Sequence, residues 1–322
     1  MNPPVDTSRA ELVKSAHRAI ARGSRSFAAA SRLFDPVTRA RAWLLYAWCR
    51  TADDMTDGQA FGHGANEASD PMASHATLRA LTIRALDTAE EVPLPFAALR
   101  QVVGETGLPR GLIEDHLAGF ALDAAAWRPQ DQDDLLRYCY HVAGSVGCMM
   151  AVVMGVDPDD ADTLDRACDL GIAFQLANIA RDLVADAQAG RCYLPAGWLA
   201  RHSLAEEHID CPANRAALAG LAGDLVSLAA PYRQSARIGA ARLPVRSRLA
   251  VLAADAIYGA IGERVAALGP AAWDRRVQTG AAGKGILFAR AMLRCLDQPR
   301  PAPRTGLWTR PRQSVAGSRN CP

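Results

Sequence analysis

Helical runs follow one another along most of the chain, and this pattern restricts the fold more than any other feature of the sequence. Alanine and leucine dominate the runs, and Gly, Pro and Asp separate them. No stretch shows the sustained period-two alternation of β-branched residues typical of strands, and no Asn-Gly turn indicates a hairpin. The runs are 8–34, 37–56, 76–90, 94–105, 109–126, 131–155, 159–187, 213–241, 244–268 and 283–296. We therefore predict one all-α domain over residues 1–297, with a loop at 58–74.

The segment 298–322 differs in composition from the rest, with five Arg, five Pro and no Asp or Glu. Such a segment cannot bury a core of its own, so we predict a disordered basic tail. Trp308 among these arginines could contact an anionic membrane surface. A solvated tail without a role is the alternative. If the tail binds membranes, deletion of 299–322 should weaken vesicle binding and leave turnover in detergent intact.

Composition also restricts location and partners. The formal net charge of +2 gives no indication of nucleic-acid binding. The eight cysteines show no CxxC or CxxH spacing, which predicts reduced thiols in the cytoplasm and no zinc site. Residues 138–156 contain no Lys, Arg, Asp or Glu and are long enough to span a bilayer. Because Tyr138 and His141 suit a lipid-facing helix poorly, we predict a buried core helix there.

The stretch YAWCRTADDMTDG, residues 46–58, places acidic side chains in an otherwise apolar helix. Side chains four and seven positions apart share one face of a helix. Tyr46, Arg50, Asp53 and Asp57 therefore form a narrow stripe of one hydroxyl, one guanidinium and two carboxylates. The residues that lead into the stripe are apolar, which is not typical of a solvated charged face.

A second run, residues 171–195, repeats this arrangement. Gln175, Asn178, Asp182 and Asp186 fall on one face of a helix that is otherwise rich in apolar residues. Either stripe alone could consist of solvated surface carboxylates with arginine partners. Two stripes of the same design, both in apolar helices, favour a shared role.

Several partly buried carboxylates need compensating cations. All-oxygen ligation favours a hard divalent cation, and Mg²⁺ typically binds one or two carboxylates together with substrate phosphates. Arg50, Arg181 and Arg191 could bind phosphate oxygens directly. The stripes therefore predict a diphosphate held through metal ions. The sequence contains no Glu-x-x-His, HExxH, P-loop or G-x-S-x-G motif that would indicate another kind of site.

These segments resemble the squalene/phytoene synthases, which condense two prenyl diphosphates head to head. YAWCRTADDMTDG is similar to the first aspartate-rich motif of that family, and AFQLANIARDLVADAQAGRCYLP is similar to its second signature. GSRSFAAASRLF, residues 23–34, resembles the substrate segment. YCYHVAGSVG, residues 138–147, resembles a pocket-lining motif in which a second Tyr often stands in place of His141. The resemblance covers roughly residues 15–295 and is closest to bacterial phytoene synthases.

The resemblance implies an all-α bundle of the isoprenoid-synthase kind around a central cavity, which Ala, Gly and Met in 142–155 could line. The residues it implies as ligands of Mg²⁺ or Mn²⁺ are Asp53, Asp57, Asn178, Asp182 and Asp186. Those it implies in substrate binding are Ser24, Ser26, Phe27, Tyr46, Arg50, Gln175, Asn178, Arg181, Arg191 and Tyr193. Those it implies in catalysis are Asp53, Asp57, Tyr46, Arg50, Asp182 and Asp186.

The implied reaction converts two geranylgeranyl diphosphates, through a cyclopropylcarbinyl diphosphate, into phytoene without a reductant. Squalene or dehydrosqualene formation from two farnesyl diphosphates stays open, because spacing does not reveal cavity depth. A non-catalytic scaffold of the same fold is less favoured, since both aspartate motifs are intact. A cyclase acting on one prenyl diphosphate is also less favoured, because the paired D-x-x-x-D spacing and the GRCYLP ending resemble the head-to-head family. Because the hydrocarbon product is insoluble in water, peripheral contact with the inner face of the cell membrane is a further expectation.

Overall fold

The computed structural model describes residues 8–56, 59–60, 63–65 and 70–312. Its α-helices are α1 (Arg9–Gly23), α2 (Arg25–Ala30), α3 (Pro36–Thr56), α4 (Pro71–Asp87), α5 (Leu94–Thr106), α6 (Arg110–Ala124), α7 (Gln132–Cys139), α8 (Ser145–Val153), α9 (Ala161–Gln188), α10 (Ala196–Arg201), α11 (Arg215–Ala240), α12 (Val245–Leu268) and α13 (Ala281–Leu296). A π-helical turn, Tyr140–Gly144, joins α7 to α8. Short 3₁₀ turns lie at Ser31–Leu33, Glu206–His208, Pro212–Asn214 and Gly269–Trp273.

The predicted all-α fold is confirmed, although two predicted helices are interrupted. The run 8–34 breaks at Ser24, whose hydroxyl accepts a hydrogen bond from the Phe27 N–H at 3.2 Å and so caps α2. The run 131–155 contains the π-helical turn between α7 and α8. Local capping and a change of helical pitch thus divide segments whose apolar periodicity is continuous.

The predicted loop 58–74 also differs in part from the structure. It contains two short antiparallel strands, β1 (Gln59–Ala60) and β2 (His63–Ala65). Helix α4 already begins at Pro71, because the Asp70 carboxylate accepts a hydrogen bond from the Met72 N–H at 2.9 Å. Asp followed by Pro is a common start of a helix.

Helix α9 is the centre of the bundle and carries the second predicted stripe. It begins after Asp160, whose carboxylate accepts a hydrogen bond from the Thr163 N–H at 3.0 Å. Fifteen of its 28 residues are buried, so it packs on several sides, against α8, α11, α12 and the π-helical turn. These neighbours fix the direction in which the polar side chains of α9 point.

Gly171 allows α9 to pack closely against the π-helical turn. A Cβ at this position would lie 2.2 Å from the carbonyl oxygen of Ala143 and 2.7 Å from the Cα of Gly144. Both are backbone atoms, so the turn would have to shift to make room. We expect Gly171→Ala to lower the free energy of unfolding by about 2 kcal/mol, as overpacking in a core does. Urea denaturation monitored by circular dichroism measures this change.

Gly104→Ala is the matched control for that substitution. Gly104 lies in α5, and nothing outside its own stretch of helix lies within 4 Å of an added Cβ. Alanine also favours helix over glycine by about 1 kcal/mol. This control should therefore be at least as stable as the wild type, and equal losses in both variants would contradict the close approach.

Residues 298–312, which we call the C-terminal strap, lie against the bundle, and here the structure differs from the predicted disorder. Arg304 donates hydrogen bonds to both carboxylate oxygens of Asp169, at 2.8 and 2.6 Å. Arg310 Nε lies 2.8 Å from Asp165 Oδ1. Both acids belong to α9 and are buried, so the partners that order the strap come from a distant part of the chain. Residues 313–322 lie outside the described residues.

Trp308 also packs on the bundle, while its expected contact with a membrane stays a prediction. Its ring centroid lies 5.4 Å from that of Tyr140, and its backbone N–H donates to the Tyr232 hydroxyl at 3.1 Å. Tyr140 is fully buried in the core, within the segment 138–156 that lacks charged residues. Across the described helices, none combines the length and hydrophobicity needed to cross a bilayer.

Candidate active site

A cavity of about 630 Å³ lies in the bundle, lined by side chains from α3, α6, α8, α9, α11 and α12. Helix α9 contributes to its wall from Thr163 to Asp186, a rise of about 34 Å along the helix axis. The predicted site residues that line it are Phe27, Tyr46, Asp53, Gln175, Asn178, Arg181, Asp182, Asp186, Arg191 and Tyr193. Side chains from both predicted stripes therefore line the same cavity.

Two other predicted residues, Arg50 and Ser24, are not among the lining residues. The Arg50 guanidinium turns toward Asp54, with Nη2 2.5 Å from Oδ1, and lies beside the cavity lining. The Ser24 hydroxyl is used to cap α2. Asp57 and the side chain of Ser26 lie outside the described residues.

Tyr46 presents a protonated hydroxyl on the α3 side of the cavity. Its ring centroid lies 5.5 Å from that of Phe27. Burial raises the pKa of Tyr46 to about 12, so its hydroxyl can donate a hydrogen bond at neutral pH. A Cβ at Gly23 would lie 2.5 Å from the Tyr46 Oη. The missing side chain at the end of α1 is therefore what leaves room for this hydroxyl.

Asp182 is held by two arginines. Arg181 donates through Nε to Oδ1 at 2.9 Å and through Nη2 to Oδ2. Arg276 donates to the same two oxygens at 3.2 and 3.0 Å. Burial by itself would raise the pKa of Asp182, but these hydrogen bonds outweigh it and hold the pKa below its usual value. The carboxylate is therefore ionised, and Arg276 is a neighbour that the sequence reasoning missed.

Asp186 lies one turn further along α9, where less positive charge surrounds it. Arg191 Nη2 is 3.7 Å from Oδ1 of Asp186. Burial raises the pKa of Asp186 to about 6; Arg191 opposes the rise, while the charges of Asp182 and Asp123 add to it. An added cation next to Asp186 would favour its ionised form.

Sequence reasoning also missed Asp123 and Tyr138, which line the cavity. Asp123 accepts hydrogen bonds from the hydroxyls of Tyr138 and Tyr193, both at 3.0 Å. The two tyrosine rings stack with centroids 4.6 Å apart. Asp123 carries the same signal as the stripes, a lone acid in the apolar stretch GFALDAAAW, and that signal could have found it.

His141 lies in the π-helical turn and contacts α6, and it is not among the residues that line the cavity. Its Nδ1 lies 2.8 Å from the Asp115 carbonyl oxygen. The neighbouring Tyr140 donates its hydroxyl to the Asp115 carboxylate at 2.5 Å. Both contacts attach the turn to α6, which gives His141 a structural position.

Most of the remaining lining residues are apolar, and the polar ones among them are Thr56, His116, Thr163, Arg166 and Tyr258. The expected lining by Ala, Gly and Met from residues 142–155 is confirmed, with Ala143, Gly147 and Met150 among its members. Leu243 and Val251, at the connection of α11 and α12, also line it. The cavity thus joins a charged region to a long apolar surface.

The donor atoms on the wall fit a hard divalent cation. Asp53, Asn178, Asp182 and Asp186 offer only oxygen ligands. Within the described part of the chain, no three His, Cys, Asp or Glu side chains converge closely enough to enclose an ion by themselves. This arrangement suits Mg²⁺, which typically binds one or two carboxylates and completes its coordination with phosphate oxygens and water.

Comparison with known proteins gives the family. The family model for squalene/phytoene synthase matches residues 20–282. A phytoene synthase from Pseudescherichia vulneris is 45% identical over 312 residues, which cover 94% of this chain and 99% of the relative. A 15-cis-phytoene synthase from Enterobacter agglomerans is 47% identical over 294 residues, which cover 90% of this chain and 99% of the relative.

Solved structures share the fold at lower sequence identity. A dehydrosqualene synthase in complex with ligand aligns with a TM-score of 0.78 and 24% identity, covering 88% of this chain and 96% of that one. The squalene synthase HpnC from Alicyclobacillus acidocaldarius aligns with a TM-score of 0.71 and 20% identity, covering 83% and 97%. With both aspartate-bearing helices on one cavity and a match over most of its length, the chain belongs to the squalene/phytoene synthase family.

Proposed function

We propose that the chain condenses two molecules of geranylgeranyl diphosphate head to head into phytoene. The observation that carries the proposal is a single cavity that combines carboxylate and guanidinium groups from α3 and α9 with a long apolar wall. This combination suits a substrate with a diphosphate at one end and a hydrocarbon chain along the rest. The relatives at 45% and 47% identity, both phytoene synthases by name, favour the C20 substrate.

Asp53, Asn178, Asp182 and Asp186 are the proposed ligands of Mg²⁺ or Mn²⁺, together with Asp57. When bound, such ions stabilise the negative charge that develops on a departing diphosphate. These carboxylates would hold ions on the parts of the wall formed by α3 and α9, and would thereby orient a diphosphate for departure.

Three cationic or hydroxyl groups are the proposed direct contacts of the diphosphates. Arg181 and Arg191 border the cavity and can donate paired hydrogen bonds to phosphate oxygens. Arg181 must then share its donors between Asp182 and the substrate. Tyr46, whose hydroxyl stays protonated, can donate one further hydrogen bond from the α3 side.

The apolar part of the cavity wall has the proposed role of protecting the cationic intermediates from water. Departure of the first diphosphate leaves an allylic cation, which the double bond of the second substrate attacks, and loss of a proton from the resulting cation closes the ring of a cyclopropylcarbinyl diphosphate. Loss of the second diphosphate, rearrangement and loss of one proton give phytoene, so no reductant is consumed. Side chains such as Met150 and Val251 exclude water and offer no oxygen or nitrogen nucleophile to these cations.

Product analysis of the purified protein tests this proposal. The protein is incubated with Mg²⁺ or Mn²⁺, without reductant, and with geranylgeranyl or farnesyl diphosphate in parallel. We expect phytoene from the C20 substrate and little product from the C15 substrate. Dehydrosqualene from farnesyl diphosphate would show that the protein uses the C15 substrate in the same type of reaction. A cyclised product from a single substrate would overturn the proposed reaction.

The raised pKa of Asp186 predicts a pH dependence of metal binding. The protonated carboxylic acid is a poor metal ligand, so affinity should fall as the pH drops below the pKa of about 6. We expect the apparent Kd for Mn²⁺ to rise about tenfold for each pH unit below that value. Electron paramagnetic resonance of unbound Mn²⁺ measures the Kd with a diphosphate analogue present.

Asp186→Asn is the control for this pH dependence. Its amide does not titrate, so binding should be weaker at neutral pH and should change far less than in the wild type over the pH unit below the wild-type pKa of about 6. A wild-type Kd that does not change across this interval would contradict ligation by Asp186.

A further inference from the structure

The outward face of α13 is apolar, which reverses the usual pattern of a surface helix. The large apolar side chains exposed on it are Ile286 (60%), Met292 (51%), Leu293 (68%) and Leu296 (79%). Their spacing places them on one side of the helix. The opposite side, with the fully buried Ala291 and the adjoining Phe288, packs against α12. Helix α13 therefore buries one apolar side and exposes another.

The start of α12 extends this apolar surface. Val245 is 73% exposed, and Cys295 Sγ of α13 lies 3.9 Å from its carbonyl oxygen. Exposed arginines flank it: Arg242 pairs with Asp162, and Arg246 donates to the Leu33 carbonyl oxygen at 3.0 Å. We define the docking face as Val245, Ile286, Met292, Leu293 and Leu296.

Basic side chains, two of them paired with carboxylates, border the docking face. Helix α13 contains Lys284, Arg290 and Arg294 and no acidic residue, and Asp297 follows directly after its end. Arg294 Nη1 lies 3.7 Å from the buried Asp255 carboxylate, while Arg290 is exposed at the edge of the docking face. An apolar strip with cations at its edges is typical of helices that lie in the interface of an anionic bilayer.

One layer of helix separates the docking face from the cavity. Val251 of α12 lines the cavity and also packs against the small cluster of Ala240, Leu252, Ala253 and Ala291 that joins α12 to α13. Leu243 and Ala250 line the cavity from the same region. The apolar part of the cavity and the docking face therefore lie on the same side of the bundle.

We propose that the docking face inserts peripherally into the surface of an anionic lipid bilayer, with α13 lying in the membrane plane. The apolar side chains enter the acyl boundary, and the flanking arginines contact lipid phosphates. The docking face is separate from the strap, whose Trp308 is packed on the core. It goes beyond the proposed reaction, and membrane binding can be measured without turnover.

Vesicle sedimentation tests the proposal with the full chain. Vesicles of phosphatidylglycerol and phosphatidylcholine, and of phosphatidylcholine alone, are compared for wild type and for the double variant Ile286→Asp/Leu293→Asp. We expect wild type to bind the anionic vesicles and the double variant to bind at least about tenfold more weakly. Both substituted side chains are exposed, so the fold and the turnover in detergent should be retained.

Met72→Asp is the matched control, because Met72 of α4 is 54% exposed and lies outside the docking face. It should bind the anionic vesicles as the wild type does. Failure of the wild type to bind, or equal loss in the control and the double variant, would overturn the proposal. So would a wild-type dimer, seen by light scattering, that the double variant dissociates, because the docking face would then bind a second copy.

Discussion

Asp53→Asn and Asp182→Asn should each lower the turnover of geranylgeranyl diphosphate by about a thousandfold, with the fold preserved. Each substitution keeps the shape of the side chain and removes one negative charge from the cavity wall. A metal ion held on that wall loses a charged ligand, and charge that develops on the departing diphosphate is stabilised less. Steady-state kinetics with product extraction measures the loss, and circular dichroism checks the fold.

Asp224→Asn is the matched control for these variants. Asp224 lies on α11, where its partly exposed carboxylate lies 3.0 Å from His202 Nε2, and it is not part of the cavity wall. Its substitution should leave turnover close to that of the wild type. Near-normal turnover of both Asp53→Asn and Asp182→Asn would contradict the proposed metal sites on α3 and α9.

Arg304→Ala should lower the free energy of unfolding by about 3–5 kcal/mol, the cost of leaving a buried carboxylate without its partner. The Asp169 side chain is 0% exposed, and Arg304 supplies hydrogen bonds to both of its oxygens. Burial already raises the pKa of Asp169 even with Arg304 in place. Loss of Arg304 should raise the pKa of Asp169 further, so the stability defect should shrink as the pH falls and the acid takes up a proton.

Two controls distinguish the effect of the specific contacts of the strap from the general effect of removing arginines. Arg300→Ala removes an exposed arginine of the same segment and should change stability by less than about 0.5 kcal/mol. Deletion of 299–322 should destabilise the protein strongly, whereas deletion of 313–322 leaves Arg304 and Arg310 in place and should not. The expectation that deletion of 299–322 spares turnover is thereby revised. Equal stability of both truncated proteins would contradict a structural role for the strap.

Features of the site that depend on helical periodicity could be predicted from the sequence. Asp53 and Asp182 can be recognised because a carboxylate among apolar residues of a helix is unfavourable unless it has a cationic partner or a ligand. Both residues line the cavity. The ends of α9 and α12 were recognised from acids, Pro and Gly at the helix boundaries. These signals act over a few residues, so the sequence shows them directly.

Features that depend on distant partners could not be predicted in this way. Arg276 reaches Asp182 across 94 positions of the chain, and Arg304 reaches Asp169 across 135. Periodicity shows which face an acid occupies, but not which cation meets it after folding. The strap was therefore predicted to be disordered from its Arg and Pro content, although α9 provides its binding partners.

The most direct test of the central claim is an isotope-mixing measurement. The protein is incubated with equal amounts of unlabelled and fully ¹³C-labelled geranylgeranyl diphosphate, and the hydrocarbon product is examined by mass spectrometry. Joining of two C20 units predicts three product masses, with the mixed species twice as abundant as either pure one. Only the two pure masses, as a reaction of single substrates would give, would contradict the account.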